Sequence, residues 1–494
     1  MTSTVAELVS KAESAVVPAP STTLEPAAPA TSAAPTTTQQ PSVTSINEAL
    51  GRGVNLGNAL EAPREGEWGI GLDASYFEVI AAAGFSHVRL PVSWAGYADT
   101  EEPFTITDGD DPTVTHPDYS NIWDRVDWAI EQAADNGLII IVDMHHYDAI
   151  HQDPLAERDR FLSMWVQISE RYSTAGDELV FELLNEPHMV FDEEPQLWND
   201  LAVDALEVIR RTNPNRPVLL GPVGYNSIDR LGDFELPDDP NLVVTVHVYE
   251  PFAFTHQGAT WVDPVPPVGA TWAPDEQVFP LGVSNYSWDT TVVSEGEKLR
   301  VEFAERYGGF SLDYERSVGL NRVDFRSSGK VDLAVACRLP GGRKTDVATV
   351  NTTFDVDVYS FDLGVCPDEA TGIFLQSTTD NPEPLVIESL VICSDRGCEE
   401  MVQTNAGALD SLLERAAKWA KENDVPMHIG EFGAYGAEGA APLGDRAAWT
   451  KAVQDAATSR AMSTAYWEFN SGFGIWDPVS DEWIEPLRAA LLDR

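Results

Sequence analysis

Apolar and polar positions follow two different rhythms along this chain, and each rhythm predicts its own architecture. Short, nearly continuous apolar runs recur at residues 53–58, 87–91, 138–144, 179–184, 218–221, 242–248, 427–430 and 464–467. Runs without a polar face belong to strands covered on both sides, as in a parallel sheet. Between them lie helical patterns at 76–83, 122–136, 158–171, 195–211, 408–422, 446–459 and 485–492. Eight strands alternating with helices predict an α/β fold, the closed (β/α)8 TIM barrel. An open doubly wound sheet is the rival. It is disfavoured because no glycine-rich phosphate loop follows the first strand and polar residues end most of the strands.

The second rhythm interrupts the first. After the sixth strand, where a loop of a few residues is expected, roughly 130 residues intervene. Within them polar and apolar residues alternate at 299–303, 331–335, 353–358, 372–375 and 385–392. Short alternating strands with Gly, Asn and Pro turns predict an all-β sandwich inserted into a barrel loop. The expected organisation is a Pro/Thr/Ala-rich linker at 1–43, the barrel's first part at 44–271, the inserted sandwich at 272–403 and the barrel's second part at 404–494.

Composition narrows the classes of partner. A formal net charge of -49 argues against nucleic acid and anionic membranes. No run of eighteen apolar residues predicts a membrane span, and Glu7, Lys11 and Glu13 break up the apolar middle that an export signal needs. The four cysteines, Cys337, Cys366, Cys393 and Cys398, fall in one segment. Local disulfides are expected, with Cys393–Cys398 the favoured pair on proximity. A zinc site is the rival, but no histidine lies between Cys337 and Cys398.

Candidate chemistry sits at two strand ends. LVFELLNEPH (179–188) delivers Glu186 and MHIGEFGAY (427–435) delivers Glu431. A barrel brings such ends to one rim. Cleaving a glycosidic bond takes one protonated acid and one carboxylate, and at a separation of about 5 Å their repulsion is about 3 kcal/mol, roughly two pKa units. One acid then holds its proton near neutrality, and Arg89 at the end of the second strand is available to keep the other charged. A metallohydrolase built on His145, His146 and His247 is the rival chemistry, although neighbouring residues on a strand point to opposite faces and cannot share one ion.

In this order, GRGVNLGNALEAP, GFSHVRLPVSW, VDMHHYD, FELLNEPH, HVYEPFAFTHQGATWV, HIGEFGAY and AYWEFNSGFGIWD resemble stretches of glycoside hydrolase family 5, the cellulase-type retaining β-glycosidases. The resemblance runs from Ile46 to Trp261 and from Asn405 to the end. It implies Glu186 as acid/base, Glu431 as nucleophile, and Asn185 on the sugar 2-hydroxyl. Arg89 and Tyr249 would sit beside the nucleophile, His247 near the acid/base, His145 in the same subsite, and Trp467 under the sugar being cleaved. Asn58, Glu61, His146, Trp261 and Trp476 fall on loops that build subsites. It implies a secreted, monomeric endo-β-1,4-glucanase with no cofactor and no metal, acting on a β-glucan polysaccharide. Mannan, mixed-linkage glucan or xyloglucan are alternative substrates, and a non-catalytic carbohydrate-binding protein is the rival from another class. The insert resembles carbohydrate-binding modules, with Trp288, Tyr307, Phe310 and Tyr314 expected as exposed stacking rings and Asp355, Asp357 and Asp362 weighed as calcium ligands.

Overall fold

The computed structural model describes residues 42–107, 121–275, 277–278, 283–295, 298–314 and 317–493. The expected linker at 1–43 falls almost wholly outside them. Its last residue, Val43, already opens a helix, Val43–Leu50, capped by the Ser42 hydroxyl accepting from Ser45 N–H.

Eight parallel strands close into a barrel: β1 Arg52–Asn55, β2 His87–Leu90, β3 Ile139–Asp143, β4 Leu179–Glu182, β5 Val218–Leu220, β6 Leu242–Val248, β7 Met427–Phe432 and β8 Ser463–Tyr466, with β8 pairing back onto β1. Every residue of β2, β4, β5, β6, β7 and β8 is buried, as continuous apolar runs require. Alternate residues face the helices outside or the barrel axis. At the lower end of the axis Ile141, Val180, Leu219 and Val243 pack together, and Ile46 and Leu50 of the first helix close them off. Towards the carboxyl ends of the strands the inward residues become polar: Asn55, Arg89, Asp143, Glu182, His247 and Glu431 are all buried there.

The surrounding helices begin up to one turn earlier than their apolar pattern suggests. Asp73, Asp153 and Thr404 each accept a hydrogen bond from an N–H of the helix that follows and so fix its start.

Between β6 and the helix Asn405–Glu422, where the alternating segments predict an inserted all-β sandwich, two antiparallel sheets stand. One has the order Asp357–Asp362, Leu320–Ser328, Leu385–Ser394, Lys298–Phe303, Thr290–Glu295, with Gly397–Glu400 also paired to Leu385–Ser394; the other runs Arg343–Asn351, Asp332–Leu339, Gly372–Ser377, Gly309–Tyr314, Val283–Trp288. Residues of both, among them Val301, Phe325, Leu312, Val335 and Leu375, form a single core separate from the barrel's. At the neck Gln277–Val278 pairs with Gln403–Thr404, so the chain leaves and re-enters the barrel side by side. Arg415 on the barrel's helix links the insert to the barrel, 2.8 Å from Glu399 and 2.7 Å from Asp229.

Several expectations for this segment change. Residues 353–358 are mainly the turn between two strands, because Thr353 N–H turns to the Tyr359 hydroxyl and Thr353 Oγ1 to Asp355 O. Phe310 and Tyr314 are buried in the two-sheet core and present no stacking surface. Asp357 accepts from its neighbour Val358 N–H and Asp362 from Gly364 N–H; with Asp355 they do not converge on a common point among the described residues. The cysteines pair as Cys337–Cys366 and Cys393–Cys398, the second across two neighbouring strands.

Candidate active site

The two strand-end glutamates meet. Oxygens of Glu186 and Glu431 and a ring nitrogen of His247 all lie within 4.8 Å of one another. Local backbone irregularities aim both acids. After β4 the chain stops being extended at Glu186, whose φ is 49°. That left-handed turn is costly for a residue with a side chain, and such strain gathers at functional sites. In β7 the pairing with β6 slips between Ile429 and Glu431, so that Ile429 faces Val246 while Glu431 faces His247. Gly430 is the extra residue, and a Cβ there would meet Thr245 Oγ1 at 2.5 Å. The bulge turns Glu431 towards the axis.

Arg89 organises the floor. Its guanidinium donates to Glu182 (2.7 and 3.0 Å), Asn55 Oδ1 (2.9 Å), Asn185 Oδ1 (2.9 Å) and Glu431 Oε1 (2.8 Å), and it is paired with Asp143. Tyr249 Oη donates to the other oxygen of Glu431 at 2.9 Å. Burial raises Tyr249 well above the ordinary phenol range, with the Glu431 charge adding to it, so it stays a donor. Asn185 is fixed from both ends. Arg89 holds its oxygen, and its amide N–H donates to His145 Nε2 at 3.3 Å, while His145 Nδ1 donates to Asp143 at 3.0 Å. His145 is held well below its usual range by burial and by Arg89, hence neutral.

Glu186 has different company. His247 Nδ1 donates to its Oε1 at 2.7 Å, and Asn226 donates to His247 Nε2 at 3.3 Å. Burial is the largest cause pushing both glutamates up, each to about 7. Of the two, only Glu431 has an arginine and a phenol in direct contact, and both contacts favour its anion.

Trp467 lies parallel to His145, centroids 5.8 Å apart and planes 7° off. Gly57 makes room for it, since a Cβ there would stand 2.9 Å from the indole. Farther out, Trp261 is 59% exposed and meets Tyr435 edge-on. Asn58 N–H and Ala59 N–H both donate to Glu61, which is buried and braces their loop. Trp476 is buried between Phe469 and Trp483, so it is packing and not a platform. His145 and His146 lie beyond the end of β3, and with φ 44° at His146 their rings meet edge to face at 4.6 Å, so strand alternation does not separate them. Neither joins the only cluster of three potential metal ligands among the described residues, which is Glu186, His247 and Glu431.

Sequence reasoning missed Asn55, Asp143, Glu182 and Asn226, which hold the named residues in place. It also missed a row of parallel rings beside Glu186, in which Tyr225, His188 and His151 stack at 4.3 and 4.0 Å. Asp143 and Glu182 do carry a signal: a carboxylate in an otherwise apolar strand requires a buried cation.

A family model described as Cellulase (glycosyl hydrolase family 5) matches residues 50–278. That stretch of the chain carries the family's domain. Endoglucanase H of Acetivibrio thermocellus is 33% identical over 334 residues, covering 64% of this chain and 33% of that protein. Cellodextrinase A of Ruminococcus flavefaciens is 32% identical over 199 residues, 38% of this chain and 54% of that protein. The chain thus spans about a third and about half of the length of these two relatives. Cel5A of Thermotoga maritima, solved with mannotriose and with cellobiose, superposes with a TM-score of 0.60 at 28% identity, covering 91% of this chain and 99% of that one.

Proposed function

We propose that this chain is a secreted endo-β-1,4-glucanase that works by double displacement with retention of configuration. The observation that carries this reading is the approach of the Glu186 and Glu431 oxygens to within 4.8 Å. Retaining glycosidases keep their carboxyl groups about 5 Å apart, whereas inverting ones leave room for a water between them. In the first step Glu431, kept anionic by Arg89 and Tyr249, attacks the anomeric carbon while Glu186 protonates the departing oxygen. The bond to the leaving sugar breaks as the glycosyl–Glu431 ester forms. In the second step Glu186, now charged, takes a proton from water, which attacks the same carbon and releases Glu431. His247 Nδ1 occupies Oε1 of Glu186 and leaves Oε2 to carry the proton. Asn185, locked between Arg89 and His145, presents its amide to the 2-hydroxyl. Trp467 lies under the ring, and Tyr225 offers an exposed face on the leaving-group side.

The same reading takes residues 44–271 and 404–494 as one catalytic barrel and 272–403 as an inserted module, supported by the paired neck. Two disulfides favour an oxidising, extracellular destination. A mannanase is the second reading, favoured by the likeness to a protein solved with both mannotriose and cellobiose. Glu431→Ala tests the central assignment. Turnover of β-glucan is expected to vanish with the fold intact, and azide is expected to restore it, yielding a glycosyl azide of inverted configuration by NMR. Hydrolysis persisting in this variant refutes the nucleophile.

A further inference from the structure

An open cleft of about 460 Å³ lies on the insert, lined chiefly by Tyr286, Trp288, Phe374, Gln376, Arg338 and Lys344. These residues come from four of the five strands of this sheet, with Gly309–Tyr314 passing between Gly372–Ser377 and Val283–Trp288, and the register puts them on its outer face. Tyr286 is opposite Ser311, which is opposite Phe374, which is opposite Ala336; Trp288 is opposite Gly309, which is opposite Gln376. The intervening residues Phe310, Leu312, Ile373 and Leu375 fill the core beneath. The middle of the outer face is therefore a trough of Gly, Ser and Ala with aromatic walls.

The rings are held in place before any ligand arrives. Trp288 Nε1 donates to Tyr307 O at 2.6 Å, and Gln376 Nε2 donates to the same carbonyl at 2.8 Å. Gly309 lets the indole lie on the sheet, because a Cβ there would stand 2.7 Å from it. Phe374 abuts Trp288 edge-on at 5.4 Å and carries the Arg338 guanidinium over its face. Tyr286 lies nearly parallel to Trp288, planes 22° apart and centroids 6.1 Å apart, and is 62% exposed. Large exposed aromatics fixed in this way lose little entropy on binding a flat partner.

We propose that this face is a second polysaccharide site, taking one neutral β-1,4-glucan chain across Tyr286 and Trp288. The CH faces of the sugars lie on the rings, and their hydroxyls meet Gln376, Lys344 and Arg338. Neutrality follows from the charges present. Arg338 is paired with Asp313, and Lys344 lies 3.2 Å from Asp346 and donates to Gln376 at 3.3 Å. Each cation is already matched, which leaves little attraction for a uronic-acid polymer. The choice of glucan rests on the substrate class proposed for the barrel.

The test is native electrophoresis of the full chain through gels containing hydroxyethylcellulose or polygalacturonate. Hydroxyethylcellulose is expected to retard the wild type. The double variant Tyr286→Ala/Trp288→Ala should bind about tenfold more weakly, and Tyr286→Ala, which removes only an exposed ring, by a smaller factor. Turnover of a short soluble cello-oligosaccharide should be unchanged in both. Equal retardation of wild type and both variants, no retardation of the wild type, or stronger retardation by polygalacturonate overturns the proposal. The barrel also meets the polymer in the gel, so it is the retardation lost in the variants that reads this face, while turnover of the short oligosaccharide reads the barrel, and the two readings fail separately.

Discussion

Carboxylates in the barrel and carboxylates on the inserted sheets sit under opposite forces. At the barrel mouth burial dominates, raising Glu61 to about 8 and Glu186 and Glu431 to about 7, even with Arg89 and backbone N–H groups pulling the other way. On the insert's outer face Glu388 is drawn below its ordinary value, first by a hydrogen bond from Lys298 and then by Arg326 at 2.9 Å. The residue type is the same, but the balance between burial and neighbouring cations reverses. Where water is excluded an acid holds its proton near neutrality and can deliver it. Where water is present it is only a charge, one of many in a chain of net charge -49.

The strongest way to break this contrast is to remove the cation that the buried acids share. Arg89→Ala leaves Asp143, Glu182 and Glu431 without their common partner and is expected to destabilise the barrel by about 3–5 kcal/mol, measured by chemical denaturation. A loss below about 1 kcal/mol would show that the buried charges do not organise the mouth. A smaller effect sharpens the contrast through its sign. Glu61 titrates at about 8 in the folded chain against an ordinary 4.5. Below the ordinary value both states hold the proton, and above it only the folded state does. Wild-type stability should therefore fall as pH rises from 4.5 to 8, on the order of 1 kcal/mol per pH unit from this residue, and Glu61→Gln should make the fall shallower by that amount, leaving the part due to Glu186 and Glu431. Glu388→Gln should show the reverse: a contribution present above the ordinary value and lost as pH falls. The smallest effect belongs to an exposed pair. Arg343 and Glu369 are 65% and 57% exposed on the insert, and Arg343→Ala should change stability by no more than about 0.5 kcal/mol.

The two regions also differ in how far the sequence discloses them. Barrel strands such as Leu242–Val248 are covered on both sides, so each is a block of apolar residues with a clear end, and the strand-end acids Glu186 and Glu431 stand out against it. In the insert, Arg343–Asn351 and Asp357–Asp362 carry polar or charged residues at most positions and are largely exposed, so little in their composition marks them as strands. Gly309–Tyr314 reads as a loop locally because the pair Gly308 and Gly309 at its start looks like punctuation, yet Gly309 is there to admit an indole. At the mouth the sequence yields the residues that would touch sugar more readily than those behind them. Asp143 and Glu182 both pair with Arg89, more than fifty and ninety positions away, and although a carboxylate in an apolar strand signals a buried cation, no local pattern says which cation it is. Tyr225 and His188 stack because two turns happen to meet, which is a tertiary fact.

One absent methyl group has a large effect on the chemistry. A strand points its side chains alternately in and out, so with His428 inward, Glu431 would by parity be handed to the surrounding helices. The extra residue at Gly430 resets the count. A larger side chain at that position would collide with Thr245, and without the extra residue the carboxylate of Glu431 would point into the apolar layer between sheet and helix instead of the barrel mouth.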